Sequence, residues 1–204
     1  SFYLIPTELV SNSLFTSNIS NWTTSTGTPA YNSTGNGRLR LNNAAAYATL
    51  STTVNTEYKV QIRLIDSSAS GSSLKVQVGA SAAGTQNLST SITVTDTGDG
   101  KILNTKFTAT SSTSFLTLDN DSSNNLDVDF AKVSENMTPR KLAYITYDDF
   151  RRRFLTVSKT NDGNQYGEPD YVYRSQDGYF GLYSIPDSDK YSVAYEYWKT
   201  HDDL

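Results

Sequence analysis

Apolar and polar residues alternate in a series of short runs over the first two-thirds of the chain. In EYKVQIRLI, Tyr58, Val60, Ile62 and Leu64 fall on one side, and Lys59, Gln61 and Arg63 on the other. SLKVQVG repeats the pattern with Leu74, Val76 and Val78, and NLDVDF with Leu126, Val128 and Phe130. A period of two with polar partners predicts antiparallel strands covered on one face. SASGSS, DTGDG and NDSSNN separate the runs, as turns do in a β-sandwich. No helical period occurs before residue 137, so residues 1–136 are expected to form a jelly-roll-like sandwich.

The last third changes period. In ITYDDFRRRFLTV, Tyr147, Phe150, Phe154 and Val157 recur at helical spacing, with Thr146 as N-cap and Asp149 three residues on. DYVYRS and YFGLYS flank Gln176-Asp177-Gly178, a tight-turn signal. YFGLYSI and KYSVAYEYW flank PDSD, where Pro186 ends a strand. Residues 137–204 are therefore expected to form a small α+β module, one helix on a three-stranded antiparallel meander. The whole chain reads as mainly β.

Composition sharpens this division. Of 14 tyrosines, four precede Met137 and ten follow it, and charge density rises at the same place. Pro139 lies at the boundary, where it disfavours a continuous element. The 204 residues suffice for two small domains with cores of their own. Cysteine is absent, which excludes disulfides, thiolate metal sites and a Cys nucleophile. A net charge of −4 argues against sequence-specific nucleic-acid binding. No apolar run is long enough to span a bilayer, so no membrane partner is expected, and no signal-peptide pattern opens the sequence.

Two resemblances follow from these segments. ELVSNSLFTSNISNWTTSTG, GRLRLNN, TEYKVQIRL, VQVGASAAG, KFTATSSTSFLTLDND and LDVDFAKV, in that order over Glu8 to Val133, resemble carbohydrate-binding-module-like jelly rolls. KLAYITYDDFRRRF, GEPDYVYR and GYFGLYSIPDSDKYSVAYEYWKTHDDL resemble the C-terminal region of head-to-tail adaptor (connector) proteins of tailed bacteriophages. Gly167, Pro169, Tyr171, Leu182, Tyr183, Pro186, Asp187, Tyr191 and Tyr195 fill the adaptor pattern, although that family's long N-terminal helices are replaced here by the sandwich.

The adaptor resemblance implies a non-enzymatic virion protein at the tail or head–tail junction. It also implies a homo-oligomeric, twelve-fold ring contacting portal and tail nozzle proteins, with the sandwich displayed outward. The alternative is a carbohydrate-binding host-adhesion protein, a tail-fibre or decoration component that binds a surface glycan.

Candidate residues follow from these readings. A three-stranded sheet under one short helix cannot bury both faces, so Tyr171, Tyr173, Tyr191, Tyr195 and Tyr197 are expected to offer an interface. Arg151 and Arg152 join them; three consecutive helical arginines cannot form one patch, and their default role is a solvated, ion-paired face. Trp22, Tyr31 and Tyr47 are candidates for stacking on a sugar, with plugging the sandwich end as the competing role of Trp22. No cofactor is expected apart from a structural Ca²⁺, which the sandwich resemblance suggests and for which Glu8 and Asp129 are the candidate ligands. Asp127 and Asp129 share one strand face, where solvent exposure rather than acid–base catalysis is expected. His201 beside Asp202 and Asp203 reads as a solvated chain end, and no residue set offers a nucleophile with its base.

Overall fold

The computed structural model describes residues 1–66, 72–94, 100–155, 168–186 and 191–195. They form two compact units, Glu8–Asn136 and a second made of Ser1–Thr7 with Met137–Leu204. Among the described residues, no helix is long and apolar enough to cross a membrane.

The larger unit is a jelly-roll sandwich of two five-stranded antiparallel sheets. One has the order β2 (Thr23–Thr26), β5 (Ala44–Ser51), β10 (Thr113–Asn120), β7 (Ser73–Gly79), β8 (Leu88–Thr93). The other has the order β3 (Ala30–Asn32), β4 (Arg38–Leu41), β11 (Leu126–Glu135), β6 (Glu57–Asp66), β9 (Lys101–Thr108). The alternating side chains interdigitate between the sheets: Ala46, Ala48, Leu50, Val76, Val78, Leu116 and Leu118 from the first, and Leu39, Leu41, Val60, Ile62, Leu64 and Val128 from the second. Each fully buried Leu, Ile or Val contributes roughly 1.5–3 kcal/mol of transfer free energy, which makes this alternation the main organiser of the unit.

The expected phase of β11 fails at one point. Val128 pairs with Leu64 and Phe130 with Arg63, so Asp129 is the extra residue of a β-bulge. The bulge reverses the alternation. Phe130 turns outward under the Lys132 ammonium, and Ala131 and Val133 take the core positions instead. Asp127 lies before the bulge on the outer face and, contrary to expectation, is completely buried.

The smaller unit also departs from the expected meander. Its sheet has the order β14 (Phe180–Tyr183), β13 (Tyr171–Arg174), β12 (Arg140–Ile145), β1 (Phe2–Pro6), β15 (Tyr191–Tyr195). The hairpin predicted around Gln176-Asp177-Gly178 forms, with Gly178 at φ +85. The third strand, however, pairs with β1 rather than with β14. β13 runs parallel to β12, a pairing that needs a crossover connection. Phe2–Pro6, expected in the sandwich, occupies an inner position of this sheet, which shifts the sandwich boundary to Glu8.

The added strands solve the burial problem that a three-stranded sheet would leave. Leu4, Leu142 and Val172 are buried on one face, with Phe2, Leu182 and Tyr191 packed around them. The ring centroids of Phe2 and Phe180 are 4.9 Å apart. Three strand spacings of about 4.8 Å separate β1 from β14, so the sheet curls around this small core. On the other face, Phe150 and Phe154 cover the β13 and β14 rings Tyr171, Tyr173 and Tyr183.

That helix, α1 (Tyr147–Phe150), is capped as predicted. Thr146 Oγ1 accepts from the Asp149 amide and donates to Asp149 Oδ2. It continues as a single π-helical turn over Arg151–Leu155 rather than as a longer α-helix. Val157, Tyr197, His201, Asp202 and Asp203 lie outside the described residues, as do SASG of SASGSS, DTGD of DTGDG and the DSD of PDSD.

Candidate functional site

The first sheet of the sandwich presents an outer face that is a shelf of small polar residues with an aromatic pair set in it. Strand register places Thr23, Tyr47, Thr117, Gln77 and Ser89 opposite one another across β2, β5, β10, β7 and β8. Four strand spacings make this row about 19 Å long. Phe115 stands in the adjacent row, opposite Thr49 on β5 and Gly79 on β7, and Asp119 and Lys75 form the row on the other side. The rings of Tyr47 and Phe115 meet edge to face, with centroids 5.7 Å apart. Both side chains are half-buried, so each keeps part of its surface open to solvent.

One wall of the shelf is built by backbone. The Ala83 amide donates to Thr117 Oγ1 at 2.9 Å, which seats the loop after β7 on the sheet and buries that hydroxyl. Gly79 and Gly84 permit the fold-back, because a Cβ on Gly79 would lie 2.6 Å from the Gly84 carbonyl carbon. The opposite side stays open, with Thr23, Thr49 and Ser51 exposed. At the far margin Lys75 lies opposite Asp119 across the strands, and its Nζ is 2.6 Å from Asp121 Oδ2. That contact holds the Asp121 carboxyl below its usual pKa and raises that of Lys75, first through the hydrogen bond and then through the charges. An apolar ring pair among hydroxyls, amides and a carboxylate acceptor suits a neutral polyhydroxylated ligand with apolar C–H faces.

Of the other sugar candidates, Tyr31 is 37% exposed and lines a separate cleft with Asp129. Trp22 is 8% exposed and packs on Phe15 at 5.5 Å, so it takes the competing role given above, a plug in the sandwich, and its indole is covered by core atoms rather than open to a sugar.

The two expected calcium ligands make different contacts. Glu8 Oε1 accepts from the amides of Val133 at 2.7 Å and Val10 at 3.0 Å. Although Glu8 keeps exposed surface, desolvation of its carboxyl raises the pKa against the opposing effects of these amides, of Leu9 and of Lys132. Asp129 Oδ2 accepts from Arg63 at 3.1 Å. Among the described residues, no three acidic, His or Cys side chains converge as a metal site.

Asp127, expected in solvent, is held by Arg40 through paired bonds of 2.8 and 2.9 Å and by Asn32 Nδ2 at 2.7 Å. The hydrogen bond and charge of Asp127 keep Arg40 firmly protonated, against its partial desolvation.

In the smaller unit, Tyr173 stacks on Phe150 at 3.9 Å and Tyr171 meets Phe154 at 5.7 Å. These rings cover one another, so Tyr171 and Tyr173 do not form the open face expected of them. Tyr191 packs on the small core, whereas Tyr195 is 64% exposed. Arg151 lies 6.0 Å over the Tyr147 ring, and Arg151 and Arg152 both face solvent.

The shelf residues Phe115, Gln77 and Lys75 were missed by the sequence reading. A signal was present in SFLTLDN, where Phe115, Thr117 and Asp119 alternate with the buried Leu116 and Leu118.

No protein-family model matches the chain, and no curated protein sequence does. Solved structures do match. The xylan-binding CBM22-1 domain of Paenibacillus barcinonensis Xyn10C aligns with 65% of this chain and 97% of its own, at 14% identity and a TM-score of 0.51. A sugar-binding protein of Bacteroides thetaiotaomicron, so described provisionally, aligns with 64% of this chain and 100% of its own, at 9% identity and a TM-score of 0.51. A two-module Clostridium thermocellum xylanase 10B structure is spanned over only 30% of its length, and over 66% of this chain, at 14% identity and a TM-score of 0.49. The aligned share of this chain is close to the size of the Glu8–Asn136 unit. The chain thus contains a jelly-roll β-sandwich of the kind found in carbohydrate-binding modules.

Proposed function

We propose that the sandwich is a non-catalytic carbohydrate-binding module that holds a neutral polysaccharide against the shelf around Tyr47 and Phe115. The observation that carries this reading is the half-exposed Tyr47–Phe115 pair on a sheet face walled on one side by the loop after β7, with Gln77 and Asp119 partly exposed on the same face. Sugar C–H groups pack on the ring pair, and Gln77 and Asp119 supply hydrogen bonds to hydroxyls. The fold it shares with a xylan-binding domain and a sugar-binding protein supports the reading. Binding of the full chain to a glycan array tests it. Signals for neutral β-linked glycans are expected, and their loss is expected in Tyr47→Ala and Phe115→Ala. Retention of those signals in both variants would refute the shelf as the site.

A second reading concerns the smaller unit, as a docking module. It is favoured by Tyr144, Tyr179, Phe180 and Tyr195, which are each more than half exposed. The ring, the portal and nozzle partners and the virion location rest on the adaptor resemblance alone, and the solved structures named above are not adaptors. Light scattering of the full chain tests self-association: Tyr179→Ser with Tyr195→Ser should lower the measured mass, and a monomeric wild type would refute the ring.

A further inference from the structure

The β-bulge in β11 does more than shift the core register. It makes Asp129 the unpaired residue of the strand and turns its carboxylate into a cleft of about 530 Å³ formed with Tyr31, Leu14, Ser33 and Asn36. The cleft is built from rigid parts. Tyr31 is tethered by its hydroxyl, which donates to the Thr16 carbonyl at 3.3 Å. Gly37, at φ +98, lets the turn pass close to that ring: a Cβ there would collide with the Phe15 carbonyl oxygen and sit 2.9 Å from the Tyr31 hydroxyl. Asn32 Oδ1 accepts from the Thr34 amide and hydroxyl, and Asn32 itself is fixed by the buried Asp127. Asp127 is thus a positioning residue for the turn that carries Ser33 and Asn36.

The chemistry of the walls is specific. Tyr31 offers part of its ring and Leu14 is exposed, so one side of the cleft is apolar. Asp129 is only partly screened: Arg63 holds Oδ2, and Oδ1 has no partner among the described residues. An aromatic plane beside a carboxylate oxygen able to accept from a hydroxyl fits a pyranose ring, and the same carboxylate repels an anionic sugar.

We infer that the Tyr31–Asp129 cleft is a second saccharide site, separate from the shelf, that takes a neutral pyranose. The inference rests on the carbohydrate-binding reading of the sandwich but uses none of the shelf residues.

Amide chemical-shift mapping of the full chain tests it, with xylose, galactose and glucuronate as probes and a xylan oligosaccharide for the shelf. Xylose or galactose should shift the amides of Ser33, Gly35 and Asn36, and glucuronate should not. Tyr31→Ala should abolish these shifts and Tyr31→Phe should keep them. Asp129→Asn should weaken binding about tenfold, with the response of Tyr47 and Phe115 to the oligosaccharide intact. Silent cleft amides beside a responsive shelf would overturn the inference alone. A responsive cleft beside a silent shelf would overturn the proposed site instead. Shifts that survive Tyr31→Ala, or that only glucuronate produces, would also overturn the inference, and a chain that binds none of the probes would overturn both readings.

Discussion

Replacing Asp127 with Ala should destabilise the sandwich substantially, even though the residue lies on a face that the sequence pattern marks as solvent-facing. The carboxylate is fully buried and satisfies two Arg40 donors and the Asn32 amide. Removing one partner of a buried ion pair costs about 3–5 kcal/mol, because the other charge is left without compensation. Here Arg40 is 33% exposed and regains some water, which lowers the expected cost to about 2 kcal/mol. For a unit of roughly 130 residues the unfolding entropy is about 0.27 kcal/mol/K, so the melting temperature should fall by about 7 °C. A Trp198→Phe background leaves Trp22, in the sandwich core, as the sole tryptophan reporter. A double variant, Asp127→Leu with Arg40→Met, should recover part of the loss, since apolar groups of similar size can replace a buried pair. A fall below about 2 °C, or a double variant worse than Asp127→Ala, would refute the claim that buried ion pairing holds this end of β11.

Two further outcomes follow from the same strand and its neighbour. Val133→Ala should cost about 2 kcal/mol and Phe130→Ala about 1 kcal/mol or less; urea titrations giving the reverse order would contradict the bulge at Asp129. Glu8 binds its proton more tightly in the folded state than in the unfolded one, so its contribution to stability falls as pH rises from the ordinary carboxylate range through the raised folded pKa. Glu8→Gln should therefore gain on the wild type between pH 4 and pH 7, and a gain in the opposite direction by denaturation at both pH values would overturn the desolvation argument.

Much of the sandwich was legible because its strands obey simple alternation: Val60, Ile62, Leu64, Val76 and Val78 are buried as the period of two requires. The bulge was not read, although the adjacent apolar pair Phe130–Ala131 marks the slip of phase. Without that slip the outward turn of Phe130 and the core positions of Ala131 and Val133 cannot be anticipated, and the ion pair of Asp127 rests on a β4–β11 register that no local pattern shows.

The smaller unit defeated sequence reasoning for a different reason. Its sheet is completed by Phe2–Pro6, more than a hundred residues away, and FYLIP is apolar on both faces, so no periodicity points to its partner. Turn and cap chemistry, being local, was read correctly at Gly178 and Thr146. The shelf itself was half-visible: Tyr47 drew attention as an aromatic, but its pairing with Phe115 depends on a strand register that links residues more than sixty positions apart.

The most direct test of the central claim is affinity electrophoresis of the full chain in gels containing xylan or another neutral β-linked polysaccharide, with Tyr47→Ala/Phe115→Ala run beside the wild type. At least one such gel should retard the wild type, and the double variant, still folded by circular dichroism, should run as it does in a gel without polysaccharide. Equal retardation of both proteins, or free migration of the wild type through every gel, would contradict it.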